Sequence, residues 1–296
     1  MERFKSLVLP IAIVLGLLLH NICAVCSVVV PYIIFTILLL SFSAVDLRKL
    51  KFNKLFIWII VFQVVLSIGG YFLLKALGVN EILAEGLLIG IVCPVASSVA
   101  VVSCMLGANR ETVTSFTIIG NLVITLVAPL YFTIVGANEG MTFWMSFWAI
   151  LKRIGVVIGL PFFVALVLQL WLPKVSGFLC KYKGVSFYLW ACALLFTLGQ
   201  TIDFIFIHGE GNWNNIVWLG VMSLLICAVQ FALGKWLGRR YGDVIAGGQL
   251  LGQKNTAMGI WMANNFLHPL ASVVLAFYAI FQNLFNSWQI WRHEKT

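Results

Sequence analysis

Charge is what this sequence has least of. Only 10% of its 296 residues are charged, where a soluble domain carries about a quarter, roughly 74 in a chain of this length. The scarcity excludes a water-soluble globule and a disordered chain, and it leaves too few ions for a typical nucleic-acid binder. The four histidines show no ligand spacing and the seven cysteines are scattered through apolar segments. Neither a metal centre nor a disulfide framework is expected from them. There is no nucleophile–base pair and no phosphate loop, so an enzyme and a bound cofactor are not expected either. The first apolar run has a positive flank but no small-residue cleavage site, which argues against a removed signal peptide. No linker or low-complexity tract divides the chain.

Hydrophobic residues are what is there. They make up 62% of the chain, and the mean hydropathy is +1.04. About 20 apolar residues cross a bilayer, so ten spans take roughly 200 residues and leave short loops. The apolar runs predict spans at about 7–25, 27–45, 55–76, 82–106, 113–136, 147–172, 186–207, 214–237, 243–267 and 270–291. Alternating the loops puts fifteen lysines and arginines on one side, among them Arg48, Lys51, Lys181, Arg239 and Arg292. The other side receives Lys75, Lys152 and Arg153. By the positive-inside bias the expectation is an inner-membrane protein with both termini cytoplasmic and the lipid bilayer as its surroundings.

The spans divide as five and five, residues 1–140 and 141–296. An odd number per half predicts that the second repeat is inverted relative to the first. The fourth span of each half is interrupted: Cys93-Pro94 precedes Ala96-Ser97-Ser98, and Gly247-Gly248-Gln249 precedes Gly252-Gln253-Lys254-Asn255-Thr256. Pro94 and Gly252 mark the helix breaks. Backbone groups freed by a break cannot stay unpaired in hydrocarbon, so the break is buried in protein or lines a cavity. Matched interruptions in two halves point to the binding site of a secondary transporter.

Several polar side chains lie within the spans. Lys254 sits about eleven residues into its span, where a cation is costly and marks an ion site or pathway unless it snorkels to the surface. Asn121 and Thr125, four apart, share a helical face that suits either ion oxygens or helix–helix hydrogen bonds. Gln63 in the third span admits the same two readings. Gln282, Asn283 and Asn286 are the candidate counterpart in the tenth. Asp203, near the rim of the seventh span, reads as hydrated. Most tryptophans fall at span ends, as interface anchors do.

Cys93-Pro94 with its small and hydroxyl residues, Asn121…Thr125…Ala128-Pro129-Leu130, and Gly252-Gln253-Lys254-Asn255-Thr256 together resemble the bile acid:sodium symporter family. Asp46-Leu47-Arg48 and the position of Gln63 extend the resemblance to nearly the whole chain. It implies an all-α polytopic membrane protein in two parts. Spans 3–5 and 8–10 form a core in which the broken spans 4 and 9 cross, and spans 1–2 and 6–7 form a panel. It also implies alternating-access transport of an organic anion, bile-acid-like or a smaller carboxylate. The site implied comprises Ser97, Ser98, Asn121, Thr125, Gln63, Gln253, Lys254, Asn255, Thr256 and Asn283.

Three departures bear on coupling. Family members usually place an acid where this chain has Leu250 and a glutamine where it has Lys254, and they follow the first break with a Ser-Asn pair where Ser97-Ser98 stands. Sodium coupling is therefore in question. The expectation is that the Lys254 ammonium stands in for a sodium ion, beside Gln63 and carbonyls freed at the second break, with proton coupling as the other course. The competing classes are a proton-coupled antiporter of another inverted-repeat fold and an uncoupled channel.

Overall fold

The computed structural model describes residues 11, 14–47, 50–96, 99–136, 142–182, 184–208 and 211–293. All regular structure among them is helical. In chain order the α-helices are α1 (His20–Cys26), α2 (Val30–Ser43), α3 (Lys54–Ala76), α4 (Glu81–Val92), α5 (Val99–Met105), α6 (Arg110–Val135), α7 (Phe143–Ile154), α8 (Leu160–Trp171), α9 (Pro173–Lys181), α10 (Val185–His208), α11 (Trp213–Arg240), α12 (Val244–Gly252), α13 (Thr256–Phe266) and α14 (Val273–His293). Short polar residues set the starts. Asn53, Asn80, Asn109, Thr142 and Asp243 each accept a backbone N–H from the first turn of α3, α4, α6, α7 and α12, meeting donors that a helix leaves orphaned.

Seven helical runs among the described residues are long and apolar enough to cross a membrane: His20–Ser43, Lys54–Ala76, Glu111–Val135, Phe143–Trp171, Tyr188–Ile207, Trp213–Arg240 and Pro269–His293. The protein is an integral membrane protein. Spans expected at 82–106 and 243–267 are absent from that set because each is two short helices, α4 with α5 and α12 with α13.

The boundary expected between a first and a second span, at residues 25–27, is corrected by the structure. Cys26, Ser27 and Val30 all have right-handed helical torsions, and a 3-10 turn at Ser27–Val29 joins α1 to α2 as one run. Pro31 explains the local change. It has no N–H to give the Ser27 carbonyl, which takes the Val30 N–H instead. The result is a bend rather than a reversal, and hydropathy alone does not separate the two.

Helix α3 packs on α4, α12 on α11, and α14 on both α11 and α4, while α1 and α2 pack on α10 and α2 also on α8. The α11–α12 contact is backbone to backbone. A Cβ on Gly234 would lie 2.3 Å from the Gly247 carbonyl oxygen, so only glycine at both positions permits this approach. Asp203, expected to be hydrated, lies with Oδ1 2.7 Å from His20 Nδ1, across α10 and α1.

Candidate transport site

Both breaks follow from local chemistry. Pro94 pushes the preceding residue out of helical space, and Cys93 adopts φ −46°, ψ 134° at the end of α4. At the other break Gln253 turns to φ −96°, ψ 110°, and the Asn255 side chain then caps α13 by accepting the Met258 N–H. Gly252 is required there because a Cβ would stand 2.5 Å from the Phe231 ring.

The two extended stretches lie against each other. Val95 and Lys254 form an isolated antiparallel bridge. Ala96 N–H donates to the Gln253 carbonyl at 3.3 Å and Asn255 N–H to the Pro94 carbonyl at 2.8 Å. An amide brackets each side of the bridge. Asn121 Oδ1 on α6 accepts the Val95 N–H at 3.1 Å. On α14, Gln282 accepts the Lys254 N–H at 2.9 Å and donates back to the Lys254 carbonyl at 3.2 Å. Backbone that hydrocarbon would leave unpaired is thereby satisfied within the protein.

The carboxyl end of α4 is where the lysine goes. A helix leaves its last carbonyls without intrahelical donors and bears partial negative charge there. Gln230 Nε2 donates to the Gly90 carbonyl at 3.2 Å, Lys254 Nζ to the Ile91 carbonyl at 2.8 Å, and Gln63 Nε2 to the Val92 and Cys93 carbonyls at 3.0 and 2.9 Å. Lys254 is fully buried, with 0% exposure. Its ammonium meets a carbonyl of the first break, where the sequence pointed to carbonyls of the second. Leu250, at the position where an acid was implied, is buried in an apolar cluster with Leu55, Phe56, Val95 and Phe116. A carboxylate would have no counter-charge in that cluster.

Of the residues expected at the site, the structure gathers Gln63, Asn121, Gln253, Lys254, Asn255 and Thr256 around the bridge. The Thr125 hydroxyl instead donates to the Asn121 carbonyl one turn back, at 2.8 Å. Likewise the Asn283 amide returns to the Ala279 carbonyl of its own helix at 2.6 Å. Ser97 and Ser98 lie outside the described residues. Asn121 Nδ2, Gln253 Oε1 and Thr256 Oγ1 are buried without a hydrogen-bond partner among the described residues, and such groups call for an explanation.

Gln230 and Tyr278 were missed in the sequence. Tyr278 Oη donates to the Gly252 carbonyl at 2.7 Å, and Gln230 Nε2 donates to Tyr278 Oη at 3.1 Å as well as to α4. The available signal was a lone amide deep in the long apolar α11.

A model of the Sodium Bile acid symporter family matches residues 10–207. No curated protein matches the chain. The matched stretch contains Gln63, Pro94, Asn121 and Thr125, and ends before Lys254.

Proposed function

Because the chain belongs to the Sodium Bile acid symporter family, we propose that it is a secondary transporter of an organic anion, bile-acid-like or a smaller carboxylate, in which the Lys254 ammonium occupies a cation position. The observation that carries this reading is the fully buried Lys254 Nζ, 2.8 Å from the Ile91 carbonyl at the end of α4. Two like charges a few ångströms apart in a medium of low dielectric repel by several kcal/mol. A protonated lysine and a sodium ion therefore exclude each other at those carbonyls, and Leu250 supplies no acid to neutralise the pair.

In this reading α3–α6 and α11–α14 form a core in which the interrupted α4–α5 and α12–α13 cross, and α1, α2 and α7–α10 form a panel. The core and panel move against each other to expose the anion to either side. Asn255 and Thr256, at the amino end of α13, face the substrate, and a half-helix amino terminus suits its negative charge. The lysine- and arginine-rich loops and the C-terminus lie in the cytoplasm. The bent α1–α2 run crosses once and so brings its amino end to the opposite face, which a reporter fused ahead of it tests.

The test is uptake of a panel of organic acids into proteoliposomes, with and without a sodium gradient. Wild-type uptake is expected to be indifferent to sodium and to respond to a pH gradient, and Lys254→Gln is expected to restore some sodium dependence. Asn255→Ala is expected to lower uptake more than protein level. Sodium-driven uptake by the wild type, with sodium bound beside Gln63, would overturn the assignment of Lys254.

A further inference from the structure

In the proposed arrangement α12 reaches the bridge from the cytoplasmic Arg239–Arg240 end, and α13 continues toward the outer face. Asn264 stands nine residues beyond Asn255, about 13 Å along that helix. Here α10 packs against α13 and against the turn Pro269–Ser272 that follows it. Two hydrogen bonds cross the boundary. Asn264 Nδ2 donates to Gln200 Oε1 at 3.1 Å, and the Thr201 and Ser272 hydroxyl oxygens lie 3.1 Å apart. Ring contacts flank them. Phe204 meets His268 edge-on with centroids 6.2 Å apart, and the Arg153 guanidinium of α7 lies 5.7 Å from the centre of the Phe266 ring.

Each side is fixed to its own neighbours by shorter bonds. Asp203 Oδ1 of α10 lies 2.7 Å from His20 Nδ1 of α1. Gly199 lets these two helices touch, since a Cβ there would stand 2.3 Å from the Cys23 Cβ. On the other side the His268 N–H donates to Glu85 Oε2 of α4 at 2.7 Å. Acids thus tie α10 to α1 and the α13–α14 corner to α4, while the two hydrogen bonds between these bodies join uncharged amides and hydroxyls.

The crossing bonds are also built to part. A hydroxyl has one proton to give. That of Ser272 has the Pro269 carbonyl at 2.6 Å, so the proton shared across the boundary is that of Thr201. Thr201 has a second acceptor in the Thr197 carbonyl, 3.1 Å away on its own helix. Pulled apart, Thr201 donates to Thr197 and Ser272 to Pro269, and neither proton loses its acceptor. Asn264 Oδ1 is buried with no hydrogen-bond partner among the described residues. The closed arrangement therefore already bears the cost of an unmet acceptor, which water relieves when the bodies separate.

We propose that Gln200–Asn264 and Thr201–Ser272 form the outer latch of the transport path: made, they close the way between the bridge and the outer face, and parted, they open it. The proposal rests on the reading of this chain as a transporter in which α1, α2 and α7–α10 move against the rest. It adds the residues at which those bodies separate and the reason that separation on this side strands few polar groups.

The test is labelling of the full-length chain, in intact cells, by a membrane-impermeant methanethiosulfonate. Ala257, 2% exposed and two turns before Asn264 on the same stripe of α13, is replaced by cysteine as the reporter. Against the chain carrying Ala257→Cys alone, the added pair Thr201→Val, Asn264→Leu is expected to raise the labelling rate by about fivefold or more, the shift that one net hydrogen bond makes in a two-state equilibrium. Thr201→Ser, which keeps the hydroxyl, is expected to leave the rate unchanged. A second arm replaces both hydroxyls by thiols. In the double variant Thr201→Cys, Ser272→Cys, oxidation is expected to join the two sulfurs and stop uptake of organic acid, and a reductant to restore it, with neither single variant responding. An unchanged labelling rate, no disulfide between the introduced cysteines, full uptake with that disulfide closed, or a raised rate only where thermal unfolding in detergent is lost would each overturn the latch. Labelling needs no transported solute, so an unchanged rate with uptake intact defeats the latch alone, whereas uptake of no organic acid at any rate of labelling defeats the reading it rests on.

Discussion

The two interrupted helices meet in one bridge, yet their ends are treated differently. At the end of α4, Gln230 of α11, Gln63 of α3 and Lys254 of the second break take the carbonyls of Gly90, Ile91, Val92 and Cys93. At the end of α12 the Tyr278 hydroxyl takes the Gly252 carbonyl and the Ala96 N–H takes the Gln253 carbonyl, and Gln253 Oε1 and Thr256 Oγ1 beside them have no hydrogen-bond partner among the described residues. The end of α4 is held by side chains and the end of α12 less so, although Asn121 Nδ2 beside Val95 is also without a partner among the described residues. The lesson is that matched breaks need not share a role: under the proposed function the first holds the architecture, and the second is the one that meets a ligand.

That contrast is open to test, and the largest effect belongs to the end of α4. Gln63→Leu leaves two buried carbonyls unpaired, each costing about 1–3 kcal/mol, so a loss of about 2–6 kcal/mol is expected. Thermal unfolding in detergent measures it, and an unchanged midpoint would contradict the holding role of Gln63. Next comes Gly252→Ala. Its Cβ presses on the Phe231 ring, and overpacking of this kind costs about 1–3 kcal/mol. Phe231→Leu in the same chain is expected to recover most of that loss; no recovery would place the strain elsewhere. The smallest effect on the fold belongs beside the end of α12. Thr256→Val removes a buried hydroxyl that has no partner among the described residues, and a same-shape apolar replacement is expected to be nearly neutral for stability. Uptake of organic acid should nonetheless fall, and full uptake by this variant would remove Thr256 from the substrate's path.

Much of the architecture was legible because breaks are written in residues with unusual backbones. Pro94 and Gly252 announced both interruptions, and the polar run after Gly252 made the second a candidate site. The bend at Pro31 was not legible in the same way. A proline in a long apolar run is compatible with a kink or with the start of a new span, and hydropathy is identical in the two cases. The site was less legible than the fold, for a physical reason. Its principal acceptors are the carbonyls of Gly90, Ile91, Val92 and Cys93, and a backbone carbonyl leaves no mark in a sequence. Asn283 illustrates the converse. Its side chain type suited a site, but an amide on a helix can return to the carbonyl four residues back, and here it does.

The buried lysine has a further consequence under the proposed function. Its ammonium is attached to the chain it serves, so its effective concentration at the Ile91 carbonyl is fixed by tether length, in the millimolar range or above for short tethers, and owes nothing to the salt on either side. A mobile ion must be loaded on one face and released on the other, and that trip is how an ion gradient does work on a solute. A tethered cation makes no such trip. Through this position the cycle draws on no salt gradient: what can be loaded on one face and released on the other is the proton that Lys254 carries, which is why the wild type is expected to answer to a pH gradient rather than to sodium.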